Sequence, residues 1–65
     1  MNVGVIGLGL IGGSIALKIK EIDTNTVIYG LDKDMDSMSY SLSKGIIDKK
    51  LDNNSINNLK YIFIA

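Results

Sequence analysis

The sequence predicts an α/β protein with a parallel sheet, and three observations lead to that fold class. Short apolar runs rich in β-branched residues alternate with segments whose apolar residues recur every three or four positions. The helical segments are long enough to serve as the crossovers that parallel neighbours need. A cluster of glycines also stands where the first apolar run gives way to the first helical period. Together these features place the 65 residues in the α/β class.

Strands are predicted at apolar runs bounded by glycine or polar residues. The main runs are Asn2 to Leu8, Thr26 to Leu31 and Tyr61 to Ala65. A further, very short strand is predicted at Ile46 and Ile47, between the second and the last run. The first run ends in glycines, as expected of a strand that is buried on both faces.

The first helix is predicted from Ile11 to Glu21, because its isoleucines share one face. These isoleucines, with the one that follows the helix, are Ile11, Ile15, Ile19 and Ile22. The second helix is predicted from about Met35 to Lys44, with Asp34 as its N-cap and Gly45 as its left-handed stop. Its core-facing residues are expected to be Met35, Met38 and Leu42. Residues 53–59 predict a loop or a single helical turn.

The order of these elements predicts an incomplete domain. Successive right-handed crossovers on the same side of the first strand place both helices on one face of the sheet. All-parallel sheets are seldom bare on the other face, so further strands and helices are expected after Ala65. We therefore interpret residues 1–65 as the N-terminal half of a doubly wound parallel sheet.

Composition and charge exclude several functional classes. Seven Lys balance seven acidic residues, which argues against nucleic acid or an anionic membrane as a partner. The uncharged stretch from Val3 to Leu17 is shorter than the roughly 20 residues that a bilayer requires, and glycines interrupt it. No Cys or His is present, so neither a disulfide nor a metal site is expected. The absence of Cys agrees with a cytoplasmic location.

The glycines between the first strand and the first helix form a G-x-G-x-x-G pattern, which is typical of Rossmann-type dinucleotide-binding folds. Gly7 permits the tight turn, Gly9 lets the backbone approach a pyrophosphate, and Gly12 allows the helix to pack closely on the sheet. Backbone N–H groups at the helix start favour the anion. A tight turn without a ligand is the alternative interpretation. The cofactor-binding residues predicted in this turn are Gly7, Leu8, Gly9, Leu10, Ile11 and Gly12.

Asp32 supplies a second signal, because it lies twenty positions after Gly12 and ends the second predicted strand. A carboxylate there accepts hydrogen bonds from the adenosine ribose and repels the 2′-phosphate of NADP, which favours NAD. NADP remains the less favoured alternative, because the Lys33 cation beside Asp32 could pair with its 2′-phosphate. No Arg is present to bind a phosphate with two hydrogen bonds. Asp32 and Lys33 complete the predicted cofactor-binding set.

Four segments resemble, in order and spacing, the amino terminus of the prephenate dehydrogenase family. They are VGVIGLGLIGGSIALKIKE, VIYGLDKD, SLSKGIIDK and LKYIFIA. The resemblance is most specific in GLGLIGGS, and Gly7, Gly9, Gly12 and Asp32 match the cofactor motif of the family.

This resemblance implies a cytoplasmic enzyme of tyrosine biosynthesis that oxidatively decarboxylates prephenate to 4-hydroxyphenylpyruvate while reducing NAD, with relatives that accept arogenate. It also implies a homodimer assembled through a helical domain. In that family the catalytic histidine and the substrate-binding arginines lie further along the chain. No catalytic residue is therefore expected within these 65 residues, which contain no His and no Arg.

Two alternatives remain open at the level of sequence. One is a different NAD(P)-dependent reductase, such as a hydroxyacid dehydrogenase, which shares the fold and the glycine turn. The other is a regulatory nucleotide-binding module without catalysis, because a fold alone does not fix a function.

Overall fold

The computed structural model describes residues 1–65 as a parallel sheet with two helices, and it confirms the predicted fold class. Strands and helices alternate along the chain up to a short third strand, after which a single 3₁₀ turn leads to the last strand. The elements are β1 (Asn2–Ile6), α1 (Leu10–Ile22), β2 (Val27–Leu31), α2 (Met35–Ser43), β3 (Lys49–Lys50), the 3₁₀ turn (Ile56–Asn58) and β4 (Tyr61–Ile64).

The sheet has the strand order β3-β2-β1-β4, and every neighbouring pair is parallel. β1 is central, since it pairs with β2 along its whole length and with β4 from Val3 onward. Ile6 is paired with Leu31 on one side and with Ile64 on the other. The carboxyl ends of β1, β2 and β4 therefore meet at one edge of the sheet.

Both helices pack on the same face of the sheet, as the crossover argument predicts. The buried cluster joins side chains from the sheet, both helices and the connecting segments, namely Val3, Val5, Leu8, Ala16, Ile28, Met38 and Ile47. On the opposite face, Leu51 and Leu59 lie over Gly4, where an added Cβ would stand 2.7 Å from Leu59 Cδ1. The segment between β3 and β4 thus covers the centre of that face, while all four residues of β4 remain exposed.

The contact face of α1 differs from the predicted isoleucine stripe. The helix buries Gly12 and Ala16, one turn apart, while Ile11 and Ile22 are 70% and 76% exposed. Small residues allow the helix axis to approach β1 closely, so the line of contact follows Gly12 and Ala16. Ile19 packs at the border of the core and is only partly buried.

The predicted start and stop of α2 are confirmed. Asp34 caps the helix by accepting a hydrogen bond from the Asp36 N–H at 3.0 Å. At the other end Gly45 adopts φ of 72°, and the Ile46 N–H donates to the Ser41 carbonyl at 2.9 Å. This is the Schellman arrangement, in which a residue in the left-handed region lets the chain satisfy the last helical carbonyls.

Two predictions around α2 are wrong. Ile46 and Ile47 form no strand, because their N–H groups close the helix on Ser41 and the strand pairing begins only at β3. Of the three residues expected to face the core, Met38 is buried, but Met35 and Leu42 are 75% and 42% exposed. Helix α2 spans only nine residues and contacts the core through a narrow line that includes Met38 and Ser41.

Neither helix combines the length and the apolar character that a membrane-spanning helix needs.

Candidate nucleotide-binding site

The chain turns sharply at Gly7, immediately after β1. Gly7 has φ of 91°, a conformation that L side chains rarely adopt, and its N–H donates to the Leu31 carbonyl at 2.7 Å. The extended conformation therefore stops at Ile6, two residues before the predicted end of the first strand. Gly7 directs the backbone out of the sheet and into α1.

Gly12 brings α1 down onto this turn. A Cβ on Gly12 would overlap the carbonyl oxygen of Gly7, so the helix and the turn pack backbone against backbone. The role that the sequence predicts for Gly12, close packing of the first helix, agrees with this contact.

Gly9 differs from both of these glycines. Its φ of −72° and ψ of −158° are ordinary extended values that any residue adopts. An added Cβ would meet no protein atom within 4 Å. Neither the conformation of the chain nor its internal packing therefore requires glycine at this position, and the space in front of Gly9 is open to a group from outside.

The start of α1 presents unpaired backbone donors beside this open space. The Gly13 N–H is the first to find a helical acceptor, the Gly9 carbonyl at 2.9 Å, which leaves the N–H groups of residues 10–12 without backbone partners. No side chain caps this end, and the first turn contains no acidic residue. The positive end of the helix dipole and these donors favour an anion.

Five of the predicted site residues line one open hollow of about 370 Å³ at this helix start, together with the last residue of the chain. They are Gly7, Gly9, Leu10, Ile11 and Gly12, with Ala65 opposite them. Leu10 and Ile11 are 90% and 70% exposed, so their side chains leave the backbone of the turn accessible. The hollow therefore has an apolar rim and a backbone floor rich in N–H groups.

Asp32 follows β2 at the same edge of the sheet. Its Oδ1 accepts a hydrogen bond from the Asp34 N–H at 2.8 Å, and its Oδ2 accepts one from the Leu8 N–H at 2.6 Å. These two N–H groups, first that of Asp34 and then that of Leu8, hold the pKa of the Asp32 carboxyl below its usual value. Asp32 is therefore an anion throughout the neutral pH range.

A second hollow lies beside Asp32, next to the first. Its lining includes Asp32, Lys33 and Gly7, and Gly7 also lines the hollow at the helix start. The glycine turn and the carboxylate thus border adjoining spaces on the two sides of Gly7, as a ligand with a diphosphate joined to a sugar would require. Lys33, which also lines the hollow beside Asp32, is exposed to solvent.

Leu8 contributes differently from the other residues of the turn. Its side chain is only 6% exposed and belongs to the core, and its N–H is already bonded to Asp32. Ser14 likewise uses its hydroxyl locally, donating to the Leu10 carbonyl at 2.7 Å.

Ala65 was not among the residues expected at the site. Its position depends on β4 lying directly beside β1, and no local pattern in the sequence specifies that strand order.

No protein-family model matches this chain. Among solved structures, it is similar to the crystal structure of prephenate dehydrogenase from A. aeolicus in complex with hydroxyphenyl propionate and NAD⁺. The TM-score is 0.83 with 27% sequence identity, and the match covers 98% of this chain and 23% of that chain. The chain thus spans less than a quarter of that protein, and its sheet and helices correspond to the N-terminal part of a Rossmann-type fold.

Proposed function

We propose that this chain is the N-terminal NAD-binding segment of a dehydrogenase that acts on prephenate or arogenate. The reaction converts prephenate and NAD⁺ to 4-hydroxyphenylpyruvate, CO₂ and NADH. Support comes from the glycine turn, from Asp32, and from the similarity to a prephenate dehydrogenase structure that contains NAD⁺.

The open space in front of Gly9 carries this proposal. Gly7 is explained by its backbone conformation and Gly12 by its contact with Gly7, but nothing within the chain explains Gly9. A diphosphate that approaches the backbone closely does explain it, because any side chain at Gly9 would occupy the space of the ligand. The unpaired N–H groups of residues 10–12 then become the donors to that diphosphate.

The adenosine ribose is assigned to the adjoining hollow at Asp32. A carboxylate has about four acceptor sites, and the hydrogen bonds from Leu8 and Asp34 use two of them. The remaining sites accept from the ribose hydroxyls, and the negative charge disfavours the 2′-phosphate of NADP. Lys33 offsets that repulsion only weakly, because its ammonium group is exposed to solvent.

The rest of the enzyme is proposed to lie outside these 65 residues. NAD, when bound, supplies the hydride acceptor. The chain has no His and no Arg, so a general base and the groups that bind the substrate carboxylates have to come from elsewhere. We propose that residues 1–65 form the first half of the cofactor domain of a cytoplasmic homodimer whose remaining parts complete the sheet and bind the substrate.

Calorimetric titration of the full-length protein with NAD tests the proposed site. Gly9→Val should weaken NAD binding at least about tenfold, which is about 1.4 kcal/mol, because the side chain takes the place of the diphosphate. Gly13→Ala is the matched control, since a Cβ there also meets no protein atom within 4 Å but Gly13 does not line the hollow at the helix start. Equal affinities for Gly9→Val and the unmodified chain would remove the basis of the proposal.

The proposed substrate is tested separately in the full-length enzyme. Prephenate or arogenate should support the formation of NADH, and a hydroxyacid of similar size should not. Turnover of hydroxyacids alone would instead identify a different NAD-dependent reductase.

A further inference from the structure

The Asp32 carboxylate is bonded to the glycine turn itself. Its Oδ2 lies 2.6 Å from the backbone nitrogen of Leu8, a residue that is 24 positions away in the sequence and stands between Gly7 and Gly9. The other carboxylate oxygen bonds locally, to the Asp34 N–H at 2.8 Å. One side chain therefore connects the end of β2 to the turn that follows β1.

Asp32 is held in place from the opposite side by α2. Its own N–H donates to the Met38 thioether sulfur at 3.2 Å, and Met38 is 6% exposed in the core. The preceding residue, Leu31, accepts the hydrogen bond from the Gly7 N–H at 2.7 Å. The turn is thus attached to the end of β2 at two successive amides, those of Gly7 and Leu8.

The second of these attachments depends on a side chain. Strand pairing supplies a backbone acceptor for the Gly7 N–H, but the positive φ of Gly7 turns the chain away, and the Leu8 N–H finds its acceptor in the carboxylate. The Leu8 N–H has no backbone acceptor, so without the carboxylate it would be left to the water of the hollow beside Asp32. Removal of the carboxylate takes away the protein acceptor of the Leu8 amide and with it one of the two hydrogen bonds that attach the turn to the end of β2.

We infer that Asp32 positions the diphosphate-binding turn through the Leu8 amide, in addition to contacting the ribose. This inference rests on the proposed function, because it concerns the same NAD site. The donors to the diphosphate, the N–H groups of residues 10–12, begin two residues after Leu8, so the orientation of Leu8 influences the direction in which they point. Asp32 is a positioning residue for one half of the ligand and a direct contact for the other.

A ligand that cannot contact Asp32 separates the two roles. We would compare NAD with an analogue whose adenosine ribose lacks both the 2′- and 3′-hydroxyl groups, using calorimetry on the full-length protein, unmodified and with Asp32→Ala. If Asp32 only binds the ribose, Asp32→Ala leaves the affinity for the analogue unchanged. If Asp32 also orients the turn, Asp32→Ala lowers the affinity for the analogue about tenfold or more.

Two further variants complete the comparison. Asp32→Asn retains a carbonyl oxygen that can accept from the Leu8 N–H, so it should restore most of the affinity for the analogue. Asp36→Ala removes an exposed carboxylate from the same region and should change neither affinity.

Amide hydrogen exchange in the absence of ligand gives an independent readout. The Leu8 amide should exchange at least about tenfold faster in Asp32→Ala than in Asp32→Asn or the unmodified chain. If the analogue binds Asp32→Ala as well as the unmodified chain while NAD binds it more weakly, the positioning role is overturned and the proposed function stands. If the unmodified full-length protein binds neither ligand, the proposed function fails, and the positioning role fails with it.

Discussion

Gly12 packs directly against the carbonyl oxygen of Gly7, with no room for a Cβ between them. This contact fixes the distance between α1 and the turn, and with it the position of the helix start relative to the sheet edge. Because the obstructing atom belongs to the backbone, no change of rotamer can relieve a clash at this point.

Gly12→Ala should therefore destabilise the chain, although alanine is the better helix former. We expect the free energy of unfolding to fall by about 1–3 kcal/mol, the usual cost of overpacking a rigid contact. Urea denaturation followed by circular dichroism measures the change. Gly13→Ala, one residue further in the same helix and free of contacts, should instead gain about 0.5–1 kcal/mol. Equal midpoints for the two variants would show that the close contact does not constrain the helix.

Thr26 contains a buried hydroxyl without a hydrogen-bond partner. The residue is 1% exposed immediately before β2, and its Oγ1 makes no hydrogen bond. Thr26→Val replaces that hydroxyl with a methyl group of similar size, so the free energy of unfolding should rise by about 1 kcal/mol. The exposed Thr24 provides the control, since Thr24→Val should leave stability unchanged. A loss of stability in Thr26→Val would indicate that the hydroxyl is satisfied after all.

Acid should destabilise the fold partly through Asp48. Burial alone would raise the pKa of its carboxyl, but the Ile28 N–H at 2.8 Å and Lys20 Nζ at 2.7 Å together hold the pKa below its usual value. A folded-state pKa below the unfolded value of about 3.9 gives stability that is present above that pH and is lost as the pH falls through the folded value.

Asp48→Asn should reduce this acid sensitivity. The difference between the free energies of unfolding near pH 7 and near pH 3 should shrink by less than about 1 kcal/mol, because solvent screens a pair that is about one-third exposed. The matched control is Asp36→Asn at an exposed position, which should leave the difference unaltered. An unchanged difference in Asp48→Asn would mean that Asp48 contributes nothing to acid unfolding.

Asp32→Ser should narrow the preference for NAD over NADP. Without the carboxylate the ribose 2′-phosphate no longer meets a negative charge, while the exposed Lys33 remains available to it. We expect the ratio of the two dissociation constants to change by about tenfold, about 1.4 kcal/mol. Both affinities should also fall, because the Leu8 amide loses its acceptor. A ratio that stays constant while both affinities fall would leave Asp32 with the positioning role alone.

The sequence predicts local features of this fold well, because they depend on neighbours along the chain. The cap at Asp34, the left-handed stop at Gly45 and the turn at Gly7 each follow from a residue type with a specific backbone preference. The prediction of a third strand at Ile46 and Ile47 is wrong for the opposite reason. Their apolar side chains fit a strand pattern, but their N–H groups bond to the helix end at Ser41, and the side chain of Ile47 lies in the core over Gly30.

Features that depend on strand order were not predictable from one sequence. β4 lies beside β1 and brings Ala65 to the glycine turn. No local pattern in the sequence indicates this position of β4. The bond between Leu8 and Asp32 joins residues 24 positions apart and becomes visible only once β1 and β2 are paired in register. Similarly, Ile11 fits the helical period but lies outside the contact line that Gly12 defines.

The most direct test of the proposed site is a map of backbone amide chemical shifts during titration with NAD. We expect the largest changes at Gly9 to Gly12 and around Asp32, the amides that border the two adjoining hollows. A groove between α1 and α2 also touches the turn at Gly9 and Leu10, but its far part is lined by Leu17, Tyr40 and Ile46. If the largest changes appear in that groove while the amides of the glycine turn remain still, the assignment of the diphosphate to the turn is contradicted.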